Sequence, residues 1–307
     1  MKHPTVSLTG AFSYTGRYIA YELINNSVSF QAITNHPRPY LFPSHSIPVV
    51  PLQFEDASVL TDALKKTSIL INTYWIRYPA AGISHETAVQ NSKILLECAK
   101  RAGVQRVVHI SVSNPDIHSS MSYFRGKAQV EELLVSSGLP YTIIRPTLIF
   151  GKEDVLIHNI AWLLKHYPFF LMPAPSKYSI QPIYAEEVGQ IVFNSMVSDK
   201  NETLDAAGPE TWTMKEIIQL IGKACGYPRP VLATSTSVTF AAVTLLNKLL
   251  HDTVITPEEM QGLLENRLIS SFPPLGKVSF CKWLKEEGKE LCSHYINDYR
   301  RFYGDNL

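Results

Sequence analysis

The chain has almost no surplus charge of either sign: 28 lysines and arginines stand against 27 acids in 307 residues, a net of +1. So weak a field draws in neither nucleic acid nor an anionic membrane, and small-molecule chemistry is favoured over polyanion binding. No uninterrupted apolar run reaches the ~18 residues that a membrane-crossing helix requires. The nearest, Val238 to Leu250, is broken by Thr244, Asn247 and Lys248 and predicts a helix lining a pocket. The four cysteines (Cys98, Cys225, Cys281, Cys292) lie far apart without a Cys-x-x-Cys pair, as expected of reduced, mostly buried thiols in an intracellular protein. Strand character begins at Thr5, which leaves no stretch ahead of it for a signal or transit peptide, so the cytoplasm is the expected location. His85-Glu86 has no second histidine four residues after the first. There is no Gly-x-Ser-x-Gly elbow and no zinc or calcium spacing, so no metal is expected. Internal repeats and low-complexity segments are also missing.

What is present begins at once. Thr5-Val-Ser-Leu-Thr9 alternates as a short strand, and Ile19, Ala20, Leu23 and Ile24 recur at helical spacing. Between them runs Gly10-Ala11-Phe12-Ser13-Tyr14-Thr15-Gly16. In a strand-turn-helix context this predicts a dinucleotide cradle: Gly10 makes the tight turn, Gly16 lets the helix lie close to it, and amides at the helix start face the pyrophosphate. Phe12 to Thr15 line the same turn. The middle fingerprint glycine is replaced by Ser13, whose hydroxyl either donates to a phosphate or marks weakened binding. A P-loop fits worse, because five residues separate the glycines and Arg17-Tyr18 stands where Lys-Ser/Thr is required.

Phe30 to Thr34 reads as the second strand, and its end bears on the cofactor. An acid there would bind a ribose 2′-hydroxyl, whereas a cation accommodates a 2′-phosphate. Thr34-Asn35-His36-Pro37-Arg38 contains no acid, so NADP is favoured through Arg38, joined by Thr34 or Asn35, with NAD still open. Gln53-Phe54 follows the short strand Val49-Val50 and is placed at the adenine edge, with Asp56 capping the next helix. Ser68 to Asn72 is a continuous apolar run of the kind buried in parallel sheets, ending at Thr73-Tyr74-Trp75. Ligands in such sheets lie beyond the carboxyl ends of the strands, which puts Thr73 and the Tyr74-Trp75 pair beside cofactor or substrate. A long amphipathic helix, His85 to Ala102, closes at Gly103, and Arg106 to Ser111 is a fifth strand in which His109 reads as a core histidine.

Ser111 and Ser113 leave that strand, and Tyr123-Phe-Arg-Gly-Lys127 opens a helix running to Ser137-Gly138. Residues four apart share a helix face, so Lys127 lies near Tyr123 and its charge favours the phenolate. The tyrosine is then a proton donor or acceptor, and one of the two serines positions the reacting oxygen.

With Arg145-Pro-Thr-Leu-Ile-Phe-Gly151, Gln181-Pro-Ile-Tyr-Ala-Glu-Glu-Val188 and Asp205-Ala-Ala-Gly-Pro-Glu210, these motifs resemble the short-chain dehydrogenase/reductase superfamily. The likeness is to its extended and atypical branch, the NmrA-like and complex I accessory-subunit-like proteins. It implies an α/β fold: a doubly wound parallel Rossmann sheet over residues 1–152 and a smaller, mostly helical substrate lobe over 153–307, with a segment near 176–206 returning to the Rossmann core. It also implies Pro146, Thr147, Leu148 and Ile149 flanking the nicotinamide, and Lys127 on its ribose. Phe150 departs from the family's usual tyrosine, and Gln53 from its acid near adenine. The C-terminal half predicts helices over 159–166, 213–225, 235–250, 257–266 and 278 to about 303, with an apolar set including Trp162, Phe169, Phe170, Met172 and Trp212.

The expected protein is an NAD(P)-dependent oxidoreductase, monomer or homodimer, transferring hydride to a carbonyl or activated double bond of a small, rather apolar metabolite. Two alternatives stand beside it: a nucleotide-sugar epimerase or dehydratase, and a cofactor-binding sensor or assembly subunit without turnover.

Overall fold

A computed structural model describes residues 5–175 and 177–303. The chain divides into two compact units, the first of Met1–Pro146 with Ala185–Ala206 and the second of Thr147–Tyr184 with Ala207–Leu307.

In the first unit, strands and helices alternate: β1 (Val6–Thr9), α1 (Tyr14–Asn25), β2 (Phe30–Ile33), β3 (Val49–Val50), α2 (Ala57–Leu64), β4 (Ile69–Asn72), α3 (His85–Ala102), β5 (Arg106–Ile110), α4 (Ser122–Ser136) and β6 (Tyr141–Pro146). The next elements, β7 (Leu148–Phe150), α5 (Val155–His166), β8 (Phe170–Pro173), β9 (Ser179–Ile180) and β10 (Pro182–Tyr184), belong to the second unit. The chain then returns to the first as α6 (Ala185–Ser195) and β11 (Glu202–Ala206). The resulting seven-stranded sheet has the order β11-β6-β5-β4-β1-β2-β3 and is parallel throughout. This is the doubly wound Rossmann arrangement, with the order reversing beside β1.

The buried apolar runs explain the strands, since every residue of β1, β4 and β5 is buried. Helix ends follow local chemistry. Asp56 caps α2 through the Ser58 and Val59 amides, Ser84 caps α3 through Thr87, and Gly103 closes α3 in a left-handed conformation at φ 79°. Helix α6 lies against α1 at a point where a Cβ on Gly189 would come within 2.8 Å of the Tyr18 carbonyl oxygen. The return segment is stitched to β5 by the buried Arg106, which donates to the carbonyls of Ser195, Lys200 and Tyr141 and to Thr142 Oγ1.

The second unit continues with β12 (Trp212–Thr213), α7 (Met214–Cys225), β13 (Val231–Thr234), α8 (Thr236–Leu250), α9 (Pro257–Leu264), α10 (Phe280–Leu291) and α11 (Asp298–Tyr303). Its strands form three two-stranded ladders, β10-β7, β12-β9 and β13-β8. Its core gathers around Phe150, whose ring meets those of Phe280, Trp283 and Tyr184 at 5.0, 5.1 and 5.4 Å, over Ile217, Ile218 and Leu284. Pairing of β7 with β10 puts Thr147, Leu148 and Ile149 in this unit, one residue past Pro146.

Two expectations are corrected here. Helix α5 starts at Val155, because Asp154 caps it by accepting from the Ile157 amide. The helix expected over 278 to 303 is two. Asn159 holds the backbone of Ile296 at both N–H and C=O, and Asp252 accepts from the Asp298 and Tyr299 amides, capping α11 afresh. Helix α8 buries only Thr239, while Val238, Leu245 and Leu249 are more than half exposed, so it lies on the surface of its unit.

Candidate functional site

The turn after β1 is built for close backbone contact. Gly10 sits at φ 63°, and its carbonyl accepts from the Ser13 amide at 2.8 Å. A Cβ on Gly16 would lie 2.0 Å from the Gly10 oxygen, so only glycine fits. Ser13 has extended backbone and caps α1, its Oγ accepting from the Gly16 amide at 3.1 Å. The unusual fingerprint residue is therefore a helix cap. A helix start carries amides without an intrahelical acceptor and the positive end of the macrodipole, and here it opens at the sheet's point of reversal. The arrangement fits a pyrophosphate.

Around this cradle, Thr73 Oγ1 donates to the Thr9 carbonyl and stands 2.6 Å from where a Gly10 Cβ would be. Tyr74 stacks obliquely on Phe54 with centroids 4.9 Å apart, and its hydroxyl accepts from Asn91 at 2.8 Å. Burial raises the Tyr74 pKa. Phe12 is buried against Phe42 at 5.7 Å, and Tyr14 meets Tyr18 edge to face, so these rings pack within the protein. Thr15 lies in the first turn of α1, and Gln53 is exposed ahead of α2. Asn35 spends its side chain as a brace, with Nδ2 donating to the Leu52 carbonyl and Oδ1 accepting from the Leu52 amide. Arg38 is half-buried ahead of a 3₁₀ turn at Pro39–Leu41.

At the carboxyl ends of β4 and β5 the polar residues converge. Asn72 Oδ1 accepts from Thr9 Oγ1 and the Tyr74 amide, which leaves its Nδ2 to donate to His109 Nδ1 at 3.2 Å. His109 then carries its proton on Nε2. Burial first, and the Lys127 charge second, pull its pKa down to about 3, so it is neutral. Tyr123 and Lys127 both lie on α4 as their spacing predicts. Lys127 is buried, donates to the Ile110 carbonyl at 2.8 Å, and has a pKa drawn down to about 7 by burial, opposed by Glu131. Ser111 is buried with a hydroxyl that has no hydrogen-bond partner among the described residues. Ser113, fully buried, anchors its amide on the Pro146 carbonyl.

Sequence reasoning placed Trp75 near the ligand but passed over its neighbours. The indole lies over Lys127 Nζ at 4.8 Å, stacks parallel on His85 at 5.7 Å and meets Tyr123 edge to face at 6.0 Å. His85 is held through Nδ1 by Ser122 Oγ at 2.7 Å. Gly126 makes room for this: a Cβ there would fall 2.8 Å from Trp75 Cη2. A glycine between the tyrosine and the lysine was the available signal.

Among the described residues no three His, Cys, Asp or Glu side chains are grouped to hold a metal, and no helix is long and apolar enough to cross a membrane.

A parallel Rossmann sheet with a glycine cradle at the head of its first helix defines an NAD(P)-binding protein. The NAD(P)H-binding family model matches residues 10–156, which span that cradle and the Tyr123–Lys127 helix. The chain is 24% identical to the mitochondrial NADH-ubiquinone oxidoreductase 40 kDa subunit of Neurospora crassa, an alignment covering 96% of this chain and 80% of that one. It is also 24% identical to the mitochondrial NADH dehydrogenase [ubiquinone] 1 alpha subcomplex subunit 9 of Arabidopsis thaliana over 69% of this chain, and spans 56% of that relative's length. Among solved structures, an NADPH-dependent quinone oxidoreductase of Escherichia coli complexed with NADPH superposes with a TM-score of 0.74 at 19% identity, covering 93% of this chain and 99% of that one.

Proposed function

We propose that the protein is an NADP(H)-dependent oxidoreductase that reduces a carbonyl or activated double bond of a small, rather apolar metabolite. The observation that carries this is the placing of Tyr123 and Lys127 on one helix, with the partnerless Ser111 hydroxyl at the adjoining strand end, in the same unit as the cradle. Backbone amides between Gly10 and Gly16 hold the pyrophosphate, and Arg38, in a loop free of acids, takes the 2′-phosphate. When bound, the nicotinamide supplies a hydride. Tyr123 gives its phenolic proton to the substrate oxygen as the carbon–oxygen double bond becomes single. Lys127 stabilises the phenolate that remains, and Ser111 holds the oxygen in place. Pro146, at the end of β6, borders the reacting ring, and Ser113 is a second hydroxyl at the strand end.

Following NADPH absorbance across a panel of quinones, ketones and enals tests the reading. Tyr123→Phe is expected to lower kcat by about 10²–10⁴-fold and leave the NADPH dissociation constant within twofold. Unchanged turnover in that variant removes Tyr123 from the mechanism. Titration with NADPH and NADH tests the Arg38 assignment, which fails if NADH binds as tightly.

One observation favours a second reading. The two relatives named above are, by name, subunits of NADH dehydrogenase and of NADH-ubiquinone oxidoreductase. A cofactor-holding subunit would bind NADPH yet oxidise none of it across that panel.

A further inference from the structure

The lysine of the Tyr123–Lys127 pair lies against an indole from outside that motif, in a seat that the backbone at Gly126 leaves open. Nζ donates to the Ile110 carbonyl at 2.8 Å and sits 4.8 Å from the centre of the Trp75 ring. The indole reaches that position across the missing side chain of Gly126 and is backed by the parallel imidazole of His85, itself fixed by Ser122. We propose that Trp75 is a positioning residue for Lys127: its π face holds the ammonium on the Ile110 carbonyl and keeps it charged in a buried site.

The physical case is a balance. Burial disfavours the ammonium, and few groups oppose that penalty. Glu131, on α4 itself, helps but is shared with Arg145 of β6, which it accepts from at 3.0 Å and which also faces Asp205 of β11. His109 of β5 is neutral and adds no charge. His85 of α3 faces the indole, whose own face joins the Ile110 carbonyl as an electron-rich surface against Nζ. A desolvated cation over an indole face is held more firmly than one in water.

The proposal rests on Lys127 belonging to the cofactor site, but its test is read without cofactor, so a protein that never oxidises NADPH still decides it. Full-length protein labelled with [ε-¹³C]lysine is titrated by NMR, with the Lys127 signal assigned by its loss in Lys127→Met. Trp75→Phe keeps a π face and Trp75→Leu, of similar size, does not. The Lys127 midpoint in the leucine variant is expected about one pH unit below that in the phenylalanine variant. Equal midpoints in the two variants overturn the proposal, because a merely space-filling indole would lower thermal stability in both and separate neither. If the leucine variant does not fold, Gly126→Ala supplies the test. Its Cβ displaces the indole, and a midpoint unmoved from wild type overturns the proposal. Separately, NADPH titration of wild type by calorimetry tests the cofactor site itself, and failure there leaves the lysine result intact.

Discussion

The two units bury apolar residues with different grammars. In the first, one seven-stranded parallel sheet carries every strand, and glycine brings backbone onto backbone where α1 meets the turn at Gly16 and where α6 meets α1 at Gly189. In the second, three two-stranded ladders hang from a cluster of aromatic side chains around Phe150, with helices capped one by one. A cofactor that must be held by amides is served by the first kind, because backbone positioned by a sheet does not depend on side-chain rotamers. The contrast has one shared feature: Gly208 in the second unit lies against the Pro182 carbonyl as closely as Gly16 lies against Gly10.

That shared feature gives the largest test. Gly16→Ala and Gly208→Ala each force a Cβ into backbone and are expected to cost on the order of 3 kcal/mol in urea unfolding. Only Gly16→Ala should also abolish NADPH binding measured by fluorescence, and equal loss in both would erase the distinction between the units. A smaller effect concerns the buried cation of the first unit. The folded pKa of Lys127, about 7, lies below the unfolded value of 10.5, so the unfolded chain binds more protons between those limits and stability rises with pH across that window. Lys127→Met is therefore expected to be more stable than wild type at pH 7 by a few kcal/mol, with the advantage fading towards pH 10.5. Denaturant midpoints at several pH values read this, and a pH-independent difference contradicts it. The smallest effect belongs to Ser13. Ser13→Gly should cost only a few tenths of a kcal/mol, since glycine is a tolerable cap, while freeing the Gly16 amide from the serine oxygen. NADPH affinity is expected to rise about threefold, the effect of one weak hydrogen bond, and a fall would mean that the hydroxyl itself contacts phosphate.

The first unit was largely legible in the sequence because its signals are local. Apolar runs such as Ile69 to Asn72 mark buried strands, and Asp56, Ser84 and Gly103 mark helix ends within a few residues of where they act. The shared helix of Tyr123 and Lys127 followed from their spacing. What was not legible depends on partners far along the chain. Nothing near Asn35 announces that Leu52 takes both ends of its amide, and nothing near residue 296 announces that Asn159 interrupts the helix expected there. The replacement of a fingerprint glycine by Ser13 was readable in principle, since serine three residues before a helical amide is a capping pattern. The surface position of α8 was not, because Val238, Leu245 and Leu249 share an apolar helix face of the kind that normally turns inward and is exposed here.

Arg106 has a consequence for dissecting the molecule. Its guanidinium gathers carbonyls from residues 141, 195 and 200, so half of its partners arrive only after the chain has travelled through the other unit and come back. A fragment ending at residue 156, where the NAD(P)H-binding match stops, would leave that charge buried with two acceptors gone and β6 with a bare edge. The nucleotide-binding half is thus no severable module. Its last strand is supplied late, and a truncated gene product should aggregate where the whole chain folds.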